Sequence, residues 1–92
     1  MAHTVREKKK LLARVRRIRG QIEAIERALD GEEGCTEILH QIAAARGAIN
    51  GLMMEVIQDH IRMHVANPDI ETDAERAKGA DELIEVVRTY MK

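Results

Sequence analysis

Aromatic side chains are almost missing from this sequence. Of 92 residues only Tyr90 is aromatic, with no Phe and no Trp. That excludes a core built on stacked rings, and it removes the platforms on which single-stranded nucleic acid stacks. Proline is as scarce, with Pro68 alone, so long stretches are free to run as helix. A single cysteine, Cys35, excludes an intramolecular disulfide and fits a reducing, cytoplasmic setting in which a thiol can serve a metal or an electrophile. No apolar run approaches the roughly 20 residues that span a bilayer, and the charged N-terminus does not read as a signal peptide. Zinc-finger spacings and RNA-binding signatures are missing too.

What is present is aliphatic and charged. Ala, Ile, Leu, Val and Met are plentiful, which predicts an all-α chain packed through aliphatic seams. One small domain over residues 1–92 is expected. A chain this short buries limited apolar surface alone, so self-association would help it. The net charge of −1 conceals a strong asymmetry. Residues 1–20 hold eight Lys/Arg against Glu7 alone, whereas the rest holds seven Lys/Arg against fifteen Asp/Glu. A basic head on an acidic body points to a polyanion-binding face.

Thr4 and Glu7 fit a capping box that opens a first helix, running to about Leu29. Along it Leu11, Val15, Ile18, Ile22, Ile25 and Leu29 form an apolar seam, flanked by a stripe of Lys10, Arg14, Arg17 and Gln21. Lys9 and Arg16 point away from the seam, and Lys8 and Arg19 lie on its other flank. Asp30 to Gly34 is a short connection, which predicts an antiparallel hairpin with the second helix. That helix runs from Cys35 to about Val65 and ends because Pro68 disfavours helical geometry at Asn67. Thr72 and Glu75 form a second capping box before a third helix to about Met91. Its apolar positions are Ala80, Leu83, Ile84, Val87 and Tyr90 or Met91, and Gly79 weakens its first half.

The second helix organises the chain. At about 100° per residue Cys35, Ile42, Arg46, Ile49, Met53, His60 and His64 share one narrow face. His60 and His64, four residues apart, project side by side and can grip one ion. Cys35 lies 25 residues earlier, about 37 Å away along a straight helix, so no ion bridges the two within one chain. Two copies packed antiparallel would place Cys35 of one beside the histidines of the other, with the two-fold axis near Ile49. The Ala- and Gly-rich stretch around Ile49 lets helices approach closely. One thiolate with two or more imidazoles suits Co(II), Ni(II) or Zn(II), whereas Cu(I) prefers a second sulfur. A helix start also favours the thiolate form of Cys35. His3 is a further candidate ligand, while His40 faces away from the seam. The plain alternative is a small buried cysteine and two surface histidines.

The basic first helix could be only a solvated face. Eight cations in twenty residues, with an ordered stripe, instead favour duplex DNA held through phosphates and groove shape. A helix-turn-helix is disfavoured, because both first helices are too long.

His3, Cys35, His60 and His64, with RVRRIRGQIEAIERAL at 14–29 and QIAAARGAINGLMMEVIQDHI at 41–61, resemble the CsoR/RcnR family of bacterial transcriptional repressors. The resemblance covers nearly the whole chain. It implies a regulator rather than an enzyme, with a three-helix protomer, a dimer on antiparallel second helices, and a dimer-of-dimers homotetramer. It also implies repression of a metal efflux or detoxification operon, often at inverted repeats with G/C tracts, relieved when an inducer binds. Cys35, His60 and His64 match the family's sensing site, and His3 matches the extra ligand of the nickel- and cobalt-sensing branch. Copper sensors of the family carry Cys at the position of His64. Arg14 and Arg17 match basic positions implicated in binding double-stranded operator DNA, with Lys10, Arg16 and Arg19 on the same helix. The chain also resembles the formaldehyde-sensing branch, which would use Cys35. That branch carries proline where this chain has Ala2 and lacks a histidine at the position of His64, and both departures favour Co(II) or Ni(II). A small metal-storage or chaperone protein is the reading from another class, and it would need no basic stripe.

Overall fold

The computed structural model describes residues 5–91, and among these it contains three helices and no strand. α1 spans Val5–Asp30, α2 spans Cys35–His64 and α3 spans Asp73–Tyr90. The expected boundaries of all three lie within a residue of these. The proposed cap at Thr4 lies outside the described residues.

The chain forms two compact units, one up to Met54 and one from Glu55 onward. In the first, α1 and the leading part of α2 make the expected antiparallel hairpin. The turn joining Asp30 to Cys35 reverses the chain, and Arg14 near the start of α1 reaches Gly51 far along α2. α1 ends in a paired hydrogen-bond motif: Glu33 N donates to Ala28 O at 3.0 Å and Glu32 N to Leu29 O at 3.2 Å. This arrangement needs a left-handed residue at its turn, a place glycine fills best. Here it is Glu32, at φ 56°.

The hairpin closes on very small side chains. Ala28 is fully buried and Ala45 is 3% exposed. On α1 the covered stripe is Leu11, Arg14, Ile18, Gln21, Ile25 and Ala28, while Val15, Ile22 and Leu29 stay exposed. The expected seam is therefore turned, because the neighbouring helix comes in over Ala28 and not over the larger Leu29. On α2 the covered stripe is Ile38, Gln41, Ala45, Ala48 and Leu52. The side-chain oxygens of Gln21 and Gln41 are buried within these stripes without a hydrogen-bond partner.

The second unit is pinned by polar contacts. α2 ends with Val65 N and Ala66 N both donating to Ile61 O, and Asn67 Nδ2 caps Met63 O at 3.2 Å. Asn67 Oδ1 also accepts from Asp69 N at 2.9 Å, closing the turn around Pro68. Thr72 caps α3 as its sequence predicts, accepting from Glu75 N at 3.1 Å. Arg76 donates to the Val65 carbonyl across the turn. Asp59, 4% exposed, accepts from Arg62 Nη1 at 3.2 Å.

Gly79 explains itself in this setting. It is buried, and a Cβ there would overlap the backbone carbonyl of His64. Its backbone cannot be approached this closely by any other residue type. The sequence marks it as a weak point in a helix, whereas it is the contact point of α3 on the end of α2.

Candidate metal centre and basic groove

Cys35 is the first residue of α2 and is exposed. Its thiol stands at a helix N-terminus, where unpaired backbone amides stabilise negative charge. His60 and His64 occupy the last turns of the same helix, with ring centroids 4.9 Å apart and planes tilted by 44°. The i, i+4 spacing sets this closeness. His60 is half-buried, and its Nε2 lies 2.8 Å from the Gly79 carbonyl oxygen. A carbonyl only accepts, so Nε2 is the donor and Nδ1 of the neutral ring keeps its lone pair. A ring held through one nitrogen and offering the other is the usual state of a histidine ligand. These donors, one thiolate and two imidazoles, fit a borderline cation.

Among the described residues no three His, Cys, Asp or Glu side chains are gathered around one point in the protomer. Cys35 opens α2 and His64 closes it. His3 lies outside the described residues. His40 is exposed, as expected of a residue off the seam.

The expected dimer seam is open. Ile42 and Ile49 are 45% and 47% exposed, and Arg46 beside them is also exposed. They lie next to the stripe that packs on α1, not within it. Apolar exposure extends to α3, where Ile84, Val87, Tyr90 and Met91 face outward. So much aliphatic surface on a short chain marks contact with other molecules.

The basic residues divide. Lys10, Arg14 and Arg17 line one groove with Ala13, Ile18 and Gln21, floored by Ala44 and Ala48 of α2. The whole expected stripe is thus gathered in one place. Arg14 is half-buried, its guanidinium over Gly51, whereas Lys10 and Arg17 are exposed. Arg16 and Arg19 are exposed on α1 and take no part in lining this groove.

Residues 7–89 match the model of the metal-sensitive transcriptional repressors. The chain belongs to this CsoR/RcnR family. The family consists of transcriptional repressors and not enzymes, so the chain is a metal-sensitive repressor. Among family relatives, the transcriptional repressor RcnR of Salmonella paratyphi B is 44% identical over 92 residues, covering all of both chains. A variant of the formaldehyde-responsive regulator FrmR from Salmonella enterica serovar Typhimurium has a solved structure. It superposes with a TM-score of 0.88 at 47% identity, covering 97% of this chain and 99% of that one. The copper-sensing repressor CsoR of Geobacillus thermodenitrificans, solved with Cu(I), shares the fold. Its TM-score is 0.88 at 24% identity, covering 100% of this chain and 94% of that one. No helix among the described residues is long and apolar enough to cross a membrane.

The sequence reading missed three features of this family member. Gly79 as the acceptor for His60, Ala28 and Ala45 as the points of closest packing, and buried Asp59 are all tertiary facts. A glycine inside a predicted helix is the one signal the sequence offers.

Proposed function

We propose that this chain is a cobalt- or nickel-responsive repressor that holds double-stranded operator DNA through α1 and releases it when the ion binds. Cys35 of one protomer would hold Co(II) or Ni(II) together with His60 and His64 of another, and His3 would add a further donor. Zn(II) also suits the donor set. The observation that carries the reading is the histidine pair at 4.9 Å, with Nε2 of His60 engaged by a backbone carbonyl and Nδ1 left with its lone pair.

Two further observations support the assembly. Ile42 and Ile49 form an exposed apolar line on α2, beside the stripe that packs on α1. An antiparallel second copy would cover that line and bring each Cys35 toward the partner's histidines. A homotetramer, a dimer of such dimers, would then cover the exposed apolar residues of α3. For DNA, the groove of Lys10, Arg14 and Arg17 supplies a phosphate-binding surface, with Arg16 and Arg19 adding charge to α1. Release requires that the ion bind the DNA-free form more tightly than the DNA-bound form. A metal efflux or detoxification operon is the fitting target.

A second reading keeps the DNA surface and changes the inducer. The structural likeness to a formaldehyde-responsive regulator at 47% identity, with Cys35 exposed, favours an aldehyde sensor. His64 on the same face as Cys35 favours the metal. A shift assay on the chain's own promoter fragment, with Co(II), Ni(II), Zn(II), Cu(I) and formaldehyde side by side, separates them. Release by Co(II) or Ni(II) is expected, and release by formaldehyde alone would overturn the metal reading.

A further inference from the structure

The α1/α2 hairpin carries two glutamines in a seam made mostly of alanines and aliphatic side chains. Gln21 of α1 and Gln41 of α2 each bury a carboxamide oxygen that has no hydrogen-bond donor among the described residues. They are neighbours along the seam. Arg14 lies against Gly51, and Gln21 lines one groove with Ala44 and Ala48, which leaves Gln41 about one turn beyond Gln21's level on α2. A buried acceptor without a donor disfavours the arrangement that contains it.

Gln21 belongs to two surroundings at once. It lines the basic groove with Lys10, Arg14 and Arg17, while its oxygen is turned into the seam. The end left to the groove is therefore the NH2, a donor placed among cations. That end is ill suited to the cations themselves and well suited to an oxyanion held between them. Turning the amide over would reverse this. The NH2 would point into the seam toward Gln41 Oε1, and the oxygen would accept from Arg17, one turn earlier on α1.

We propose that Gln21 is a phosphate-positioning group of the groove, and that its amide turns with the groove's occupancy. With a phosphate oxygen between the cations, Nε2 donates to it, and both seam oxygens go without donors. In the free protein a second orientation competes, with Nε2 on Gln41 Oε1 and the oxygen on Arg17. Gln41 therefore opposes binding, although it lies in the seam and takes no part in lining the groove. This role rests on the reading of the groove as a phosphate-binding surface. It adds a neutral donor to that surface and names the residue that holds the donor back. The ligand chemistry is a phosphate oxygen, whether of a duplex backbone or of a free phosphate.

The test compares the full-length protein with Gln21→Met and Gln41→Met, because methionine matches glutamine in helix propensity and has no donor. Binding of duplex DNA and of inorganic phosphate is measured at fixed salt. Gln21→Met should weaken both about 3–10-fold, the worth of one hydrogen bond. Gln41→Met should tighten both by a similar factor. In the double variant Gln41→Met should change nothing, since the bond it removes is already gone. A residue that serves packing alone would not tighten binding when replaced, so Gln41→Met that fails to do so overturns the role. Duplex binding that ignores both substitutions would overturn the role and keep the DNA reading. Phosphate binding that follows these signs without any duplex binding would overturn the DNA reading and keep the role. If either variant does not fold, wild-type spectra decide. Saturating phosphate should move the Gln21 side-chain NH2 resonances and shift the Gln41 ¹³Cδ upfield, as its oxygen loses a donor. A Gln41 ¹³Cδ that stays in place overturns the role.

Discussion

The two units are built in opposite ways. The unit up to Met54 packs through the smallest side chains, Ala28 against α2 and Ala45 against α1, and apart from half-buried Arg14 it leaves its long basic side chains outward. The unit from Glu55 onward is pinned by polar contacts to backbone atoms: His60 to Gly79, Arg76 to Val65, Asn67 to Met63 and the Thr72 hydroxyl to Glu75. Their charges differ as well. Residues 3–54 hold ten Lys/Arg against seven Asp/Glu, and residues 55–92 hold five against nine. Close packing of alanines sets a distance between helices but fixes few side chains. Hydrogen bonds to backbone carbonyls fix individual atoms. A surface that meets phosphates needs only the first, whereas a site that selects an ion by geometry needs the second. The division of construction thus follows the proposed division of labour, except that Cys35 comes from the first unit.

The strongest way to break this comparison is to ask whether α2 serves both ends of the site from different chains. Cys35→Ala alone, or His60→Ala with His64→Ala, should lower Co(II) affinity by more than about 100-fold, beyond the effect of losing a partner behind a ligand. Mixing the two variants should restore one tight site per heterodimer. Titration of the mixture by cobalt absorption checks this, and a mixture as weak as its parents would mean that the site is not shared.

The next effect concerns how the two units communicate. A typical coupling of about 1–3 kcal/mol weakens DNA binding roughly 5–150-fold when the inducer is bound. His3 lies two residues before the start of α1, so an ion that recruits it would pull on the basic helix itself. His3→Ala should keep its DNA affinity without metal and lose most of that weakening at saturating cobalt. Full release would show that the coupling runs through α2 alone.

A smaller effect is expected from the groove. If Lys10, Arg14 and Arg17 contact phosphates, Arg17→Ala should weaken DNA binding across sequences and reduce the salt slope by about 0.9 per lost contact. Cobalt affinity should be unchanged, since Cys35, His60 and His64 are untouched. Arg14→Ala is the sharper variant, because Arg14 is half-buried over Gly51 and shapes the groove as well. An unchanged slope in both would move the DNA surface elsewhere on the chain.

Much of this architecture was legible because it is local. Helix limits follow from the Thr72 cap, from Pro68 and from the Asp30–Gly34 connection, each acting on its immediate neighbours. The closeness of His60 and His64 was legible from helical spacing. What the spacing could not give is which stripe of a helix meets which neighbour. Leu29 looks like the better core residue, yet Ala28 is the buried one, because close approach rewards small size over apolar area. Gly79 misled for the same reason: its value lies in a contact with a residue fifteen positions away.

The smallest effects separate the units by their helix ends. Thr72→Ala removes the cap of α3 and should cost about 1 kcal/mol, the usual value for such a loss. Because α3 carries Gly79, that variant should also bind cobalt more weakly while its metal-free DNA affinity stays the same. Glu32 is the matching position in the hairpin, and there the sign reverses. It sits at φ 56° in the turn that closes α1, a conformation that costs a residue with a side chain about 1–2 kcal/mol and costs glycine little. Both of the motif's backbone bonds, to Ala28 and Leu29, are made by amides and survive the loss of a side chain. Glu32→Gly gives back part of its gain as added freedom in the unfolded chain. A net stabilisation of up to about 1 kcal/mol is expected, read as a higher denaturation midpoint with an unchanged slope. Cobalt affinity should not follow it, since Cys35, His60 and His64 are all unchanged. Cobalt affinity that rose with stability would mean that this turn also sets the position of Cys35, three residues on.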